Sequence, residues 1–151
     1  MRTFANSSDA EEVFARLGRL RPENPRRWGK MNAREMVCHL ADIARGVLGE
    51  RSMGDRQTFL SRTIIKWIAL WIPAPWPKGF PTATALDPQR DGTKPGDFEQ
   101  DRAAAIAEHR RFIASASNMP LAHPFFGPLT AREWLRWGYL HTDHHLRQFG
   151  V

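Results

Sequence analysis

Cysteine is nearly absent: Cys38 is the only one in 151 residues. No disulfide framework and no cysteine-based zinc site is possible within one chain, so any bound metal must be held by histidine or carboxylate. Long apolar runs are missing as well. The opening Met1-Arg-Thr-Phe-Ala-Asn lacks the apolar core of a signal peptide, which points to a cytoplasmic protein. The most apolar stretch, 57–72, is too short to span a bilayer and is interrupted by Arg62 and Lys66. No segment shows strand alternation, and no repeat period appears. There is no Gly-rich phosphate loop and no G-x-S-x-G elbow.

What is present suits one all-helical domain over residues 1–151. The apolar fraction, 42%, is in the globular range and supports a substantial core. The net charge is +6, from 22 basic and 16 acidic residues, and its location is uneven. Arg16, Arg19, Arg21, Arg26, Arg27, Lys30 and Arg34 are opposed only by Glu23 over that stretch, which accounts for the whole net charge. Such a patch suits an anionic ligand or a solvated helix end and loop. Nucleic acid is not expected, because no recognition motif accompanies it.

Five helices can be drawn. Ser8-Asp-Ala-Glu11 reads as a capping box ahead of the stripe Val13, Phe14, Leu17 and Leu20, with Pro22 and Pro25 ending the helix. Asn32 and Glu35 open a second, with Met36, Val37, Leu40, Ile43, Ala44 and Val47 as its apolar stripe and Gly49 as its stop. His39 stands at the edge of that stripe, with Glu35 and Asp42 on its outer side. Residues 57–72 form a third helix, either a core helix, a subunit contact or a helix lying on a membrane. From Pro73 to Gly96 the chain is too rich in proline and glycine for regular helix. Trp76, Phe80 and Leu86 make this a segment packed along the surface, as a lid or a dimer arm. A fourth helix runs from about Asp97 to Ser115 with His109 near the centre of its stripe, and Asn118-Met-Pro120 ends it. The aromatic loop Leu121-Ala-His123-Pro-Phe-Phe-Gly127 follows. Thr130 and Glu133 cap the fifth helix.

That last helix carries the chemistry. Residues turn by about 100° each, so His141 and His145 share a face about one turn apart. Trp134, Gly138, Gln148 and Phe149 lie on the same face. Asp143 falls opposite, near Arg136 and Arg147, as an outer-surface ion-pair partner. His144 lies to the side. Two buried imidazoles cost free energy unless their nitrogens are satisfied, and a metal satisfies both. A hydrogen-bonded core role is the competing reading. A third ligand would come from His39, His109 or His123, between which periodicity does not choose. Gly138 admits two readings as well: close helix packing, or open space above a metal for water or substrate.

Three segments carry a resemblance: Trp28-Gly-Lys-Met-Asn-Ala-Arg-Glu-Met-Val-Cys-His39-Leu-Ala-Asp42, His123-Pro-Phe-Phe-Gly-Pro-Leu-Thr130, and His141-Thr-Asp-His-His145-Leu-Arg-Gln-Phe-Gly150. In this order they resemble the DinB/YfiT-like superfamily, more narrowly one of its uncharacterised bacterial branches, as does Pro75-Trp-Pro-Lys-Gly-Phe-Pro-Thr82. The resemblance implies a four-helix bundle, here with an extra short helix and a long Pro-rich loop. It implies a divalent metal, zinc or nickel first and iron as a further candidate, on a triad that maps to His39, His141 and His145. It implies a homodimer, and a metal-dependent hydrolase or thiol S-transferase acting on a small molecule. Three neutral histidines would leave the metal an open position for water or a thiol. Glu35, Asp42, His144 and Gln148 are candidate supporting or proton-handling groups. The competing class is a non-catalytic metal- or ligand-binding bundle acting in stress response, its metal closed by Asp42 or Glu35. No membrane partner is expected.

Overall fold

The computed structural model describes residues 1–119 and 122–151. Four long helices, α1 (Ser7–Arg19), α2 (Ala33–Val47), α4 (Phe98–Ser115) and α5 (Ala131–Gln148), pack as a bundle. A short α3 (Lys66–Trp71) follows directly from a π-helical turn, Ser61–Ile65. No strand is present among the described residues; His123 and Gly127 form a single isolated antiparallel bridge. The all-helical expectation holds.

Local chemistry sets most helix starts. At α2 the Asn32 side chain accepts from the Glu35 amide, and the Glu35 carboxylate accepts from the Asn32 amide at 2.8 Å. Thr130 and Glu133 do the same for α5. Each box satisfies two amides that the helix cannot. Asp97 caps α4 by accepting from Gln100. α1 departs from expectation: its cap is Asn6, which accepts from the Ser8 amide, and Glu11 instead faces Arg110. Asn6 sits one residue before the helix, where its short amide reaches the free N–H groups first.

The core joins all four long helices. Phe4, Phe14 and Leu17 meet Met36, Leu40, Phe112, Trp134 and Leu146, all buried. α2 packs on α4, while α1 lies against α5 and α4. Asp143 is not on an outer surface. It is buried between α5 and α1, where it accepts from Arg16 at 2.6 Å, and it also pairs with Arg147. Arg16 therefore leaves the basic stretch for the interior, where it also donates to the Val151 carbonyl. A wheel drawn from one helix cannot see the face that α1 covers.

α3 also differs from a core helix. Within it only Leu70 is buried, and much of its apolar surface faces outward. The Pro-rich segment does pack along the bundle. It contains a 3₁₀ turn, Thr84–Leu86, whose Leu86 is buried in the core. Among the described residues no helix is long and apolar enough to cross a membrane. Pro120, expected to help end α4, and Leu121 lie outside the described residues.

Candidate metal centre

His39 on α2 and His141 and His145 on α5 converge. Each can offer a ring nitrogen such that all three atoms lie within 4.8 Å of one another. Ring centroids are 5.4 Å apart for His39–His141, 4.9 Å for His39–His145 and 4.7 Å for His141–His145. His39 is buried; the other two keep partial exposure, so the cluster has an open side. Among the described residues no carboxylate and no cysteine joins this group.

Two of the rings are held from behind. His39 Nδ1 donates to the Leu86 carbonyl at 2.8 Å. His145 Nδ1 donates to Gln148 Oε1 at 3.0 Å, and Gln148 Nε2 donates in turn to the Trp28 carbonyl at 2.7 Å. With Nδ1 protonated, Nε2 of each neutral ring is the nitrogen left to offer. His141 is braced by stacking on Trp137, 5.1 Å between centroids at 24°. Its Nδ1 is buried and, among the described residues, has no hydrogen-bond partner. Burial pushes all three below the usual imidazole range, His141 and His145 far below it, with repulsion between the neighbouring rings adding to the effect on those two. The rings are thus neutral, which is the ligating form.

The other candidates fall into different places. His109 is buried, with Nδ1 donating to the Ala105 carbonyl at 2.9 Å and Nε2 3.1 Å from the Thr142 hydroxyl; both nitrogens are engaged away from the cluster. His123 Nδ1 accepts from the amides of Phe125 and Phe126, each at 3.1 Å, and organises its own loop. His144 is half-buried between Trp28 and Trp76, 5.4 Å from the His145 ring. Glu35 is taken up by its capping box and by Gln89. Asp42 is fully buried and accepts from the Thr93 amide and hydroxyl, both at 2.7 Å, and from Arg51 at 3.1 Å. Arg51 also donates to the Ala85 carbonyl. Asp42 therefore acts at one remove, fastening the turn whose Leu86 carbonyl orients His39.

Gly138 is resolved in favour of packing. A Cβ there would stand 2.4 Å from Phe112 Cε1 and 3.2 Å from Phe4 Cδ2. A Cβ there would require the Phe112 ring on α4 to shift, so the hydrogen of Gly138 is what lets α5 and α4 close at that level.

Sequence reasoning did not single out Trp137 or the Leu86 carbonyl, and it named Trp76 only as a packing residue of a lid or dimer arm. Trp137 lies one turn before His141, and i+4 spacing alone could have flagged it. Trp76 covers the cluster from the Pro-rich segment, 6.5 Å from the His141 ring, its indole N–H donating to the Ala69 carbonyl. The Leu86 carbonyl has no side-chain signature. Cys38 is buried, and burial pushes its thiol up to about 12, so it is no nucleophile near neutral pH.

A family model described as the DinB superfamily matches residues 5–149, nearly the whole chain. No curated protein and no solved structure matches the chain.

Proposed function

Because the chain belongs to the DinB superfamily, we propose that His39, His141 and His145 hold one divalent metal ion and that the protein is a metal-dependent enzyme. Zinc or nickel suits the all-imidazole set best, with iron also compatible. The observation that supports the reading is the convergence of three neutral, buried or half-buried imidazoles, with His141 Nδ1 left without a partner among the described residues. A buried nitrogen without a partner costs about 1–3 kcal/mol. Three histidines with no carboxylate among them fit a borderline cation and leave its charge intact.

A bound metal of this kind lowers the pKa of water or a thiol and so supplies a nucleophile at neutral pH. The chain's own residues set the stage for it. The Leu86 carbonyl and Gln148 fix the His39 and His145 rings with their Nδ1 protons turned outward. Trp137 and Trp76 exclude water from two sides of His141. His144, half-buried beside the His145 ring, is the residue we assign to take up or return a proton. A hydrolase or a thiol S-transferase acting on a small molecule fits this arrangement, in a homodimer. The setting proposed for it is cytoplasmic.

The test is elemental analysis with a paired screen for hydrolysis and thiol transfer. His141→Ala should lose stoichiometric metal and any activity found while keeping its helical circular dichroism. Full metal content in that variant would refute the triad.

A further inference from the structure

The segment carrying α3 turns most of its large apolar side chains outward. Phe59, Leu60, Ile64, Trp67, Ile68 and Ile72 are each between 37% and 85% exposed, and Phe80 beside them is 61% exposed. Leu60, Ile64, Ile68 and Ile72 recur every four residues, so they share one side of the helical segment. At about 200 Å² for a large side chain, this leaves roughly 700 Å² of apolar surface in water. The largest such patch on a typical monomer is about 300–600 Å². A standard interface covers about 800 Å² on each partner.

We propose that this face is covered by a second copy of the chain, pairing α3 with α3 about a two-fold axis. The inference rests on the homodimer in the reading above and assigns its interface. The area matches what one partner of a stable dimer contributes. The charges argue against a lipid surface. The apolar stripe is interrupted by only two cations, Arg62 and Lys66. Lys66 is already paired with Glu133 at 3.3 Å, and the Arg62 side chain lies along Gly127. Docking on anionic lipid draws on clusters of about four to eight basic residues. With Lys66 neutralised within its own chain, two copies can approach with little like-charge opposition. The segment that carries this face also reaches toward the histidine cluster, because the Ala69 carbonyl on α3 accepts from the Trp76 indole N–H, and the Trp76 and His141 ring centroids are 6.5 Å apart.

Sedimentation velocity of the full chain over a micromolar concentration series tests this, alongside the double variant Ile64→Glu/Trp67→Glu. Both side chains are exposed, so the variant should keep its helical circular dichroism. The wild type should sediment as a species of twice 17.3 kDa, and the variant as a monomer. A monomeric wild type, or a variant that still dimerises, overturns the proposal. A monomeric wild type that co-sediments with phosphatidylglycerol vesicles, and loses this in the variant, overturns it in favour of a lipid surface. Metal content is read separately: a dimer that binds no metal refutes the triad alone, and a monomer with full metal refutes the interface alone.

Discussion

Gln148 bridges His145 to the loop at the far side of the site. Its Oε1 accepts from His145 Nδ1 at 3.0 Å, and its Nε2 donates to the Trp28 carbonyl at 2.7 Å. One amide therefore fixes both the rotation and the tautomer of a proposed ligand. Gly29, at φ 79°, leaves room for it, since a Cβ there would stand 2.5 Å from Gln148 Nε2.

Gln148→Leu keeps the volume and removes the bridge. Metal affinity should fall about 10–100-fold, measured by competition with a chromophoric chelator, with the fold intact. Gln148→Glu, which still accepts from Nδ1, should recover part of the loss. Unchanged affinity in the leucine variant would remove Gln148 from the site.

Asp42 holds the Pro-rich segment to α2 through Thr93 and Arg51. Arg51 is partly exposed and can recover water, so Asp42→Ala should cost about 2 kcal/mol, less than breaking a fully buried pair. Hydrogen exchange should quicken at residues 84–93 before the helices. Uniform destabilisation with no local change there would contradict the placement of Asp42 as a clasp.

Gly138→Ala must push Phe112 aside, because nothing else can yield at 2.4 Å. Overpacking of this kind costs about 1–3 kcal/mol. For a chain of this size that is a drop of roughly 2–4 °C in Tm per kcal/mol, read by calorimetry. Had the glycine opened space for substrate, the variant would keep its Tm and lose only activity.

Two buried histidines outside the cluster make stability sensitive to acid. Burial depresses His109 to about 4 and His123 to about 3. Both lie below the ordinary value near 6.5, so the unfolded chain binds more protons between these limits. Their contribution is complete above pH 6.5 and is lost as pH falls toward 4 and then 3, by up to about 1.4 kcal/mol per pH unit for each ring. Urea unfolding from pH 7 to pH 4.5 should show this decline, and His109→Gln should reduce its slope. Stability that stays level or rises over that range would contradict the neutral burial of these rings.

Much of this was legible where the physics is local. The boxes at Asn32 and Thr130 act within one turn, so α2 and α5 begin where spacing predicts. The i, i+4 pair His141 and His145 follows from helix geometry alone. Choosing His39 over His109 needed tertiary information, since both sit on apolar helices; the resemblance pointed to His39, and the bundle sets it beside the pair. Asp143 was misplaced because a wheel of α5 does not include α1, whose Arg16 draws it inward. The Leu86 carbonyl was invisible because a backbone group has the same chemistry at every residue. The exposure of α3 was likewise hidden, as an apolar helix reads the same whether the fold or a partner covers it.

The most direct test is metal stoichiometry in the purified protein and in His39→Ala, His141→Ala and His145→Ala, after stripping and reloading with zinc or nickel. The wild type should take up about one ion per chain, and each variant should fall far short of that while its helical circular dichroism is retained. Three variants that each reload as fully as the wild type would show that these histidines do not hold a metal.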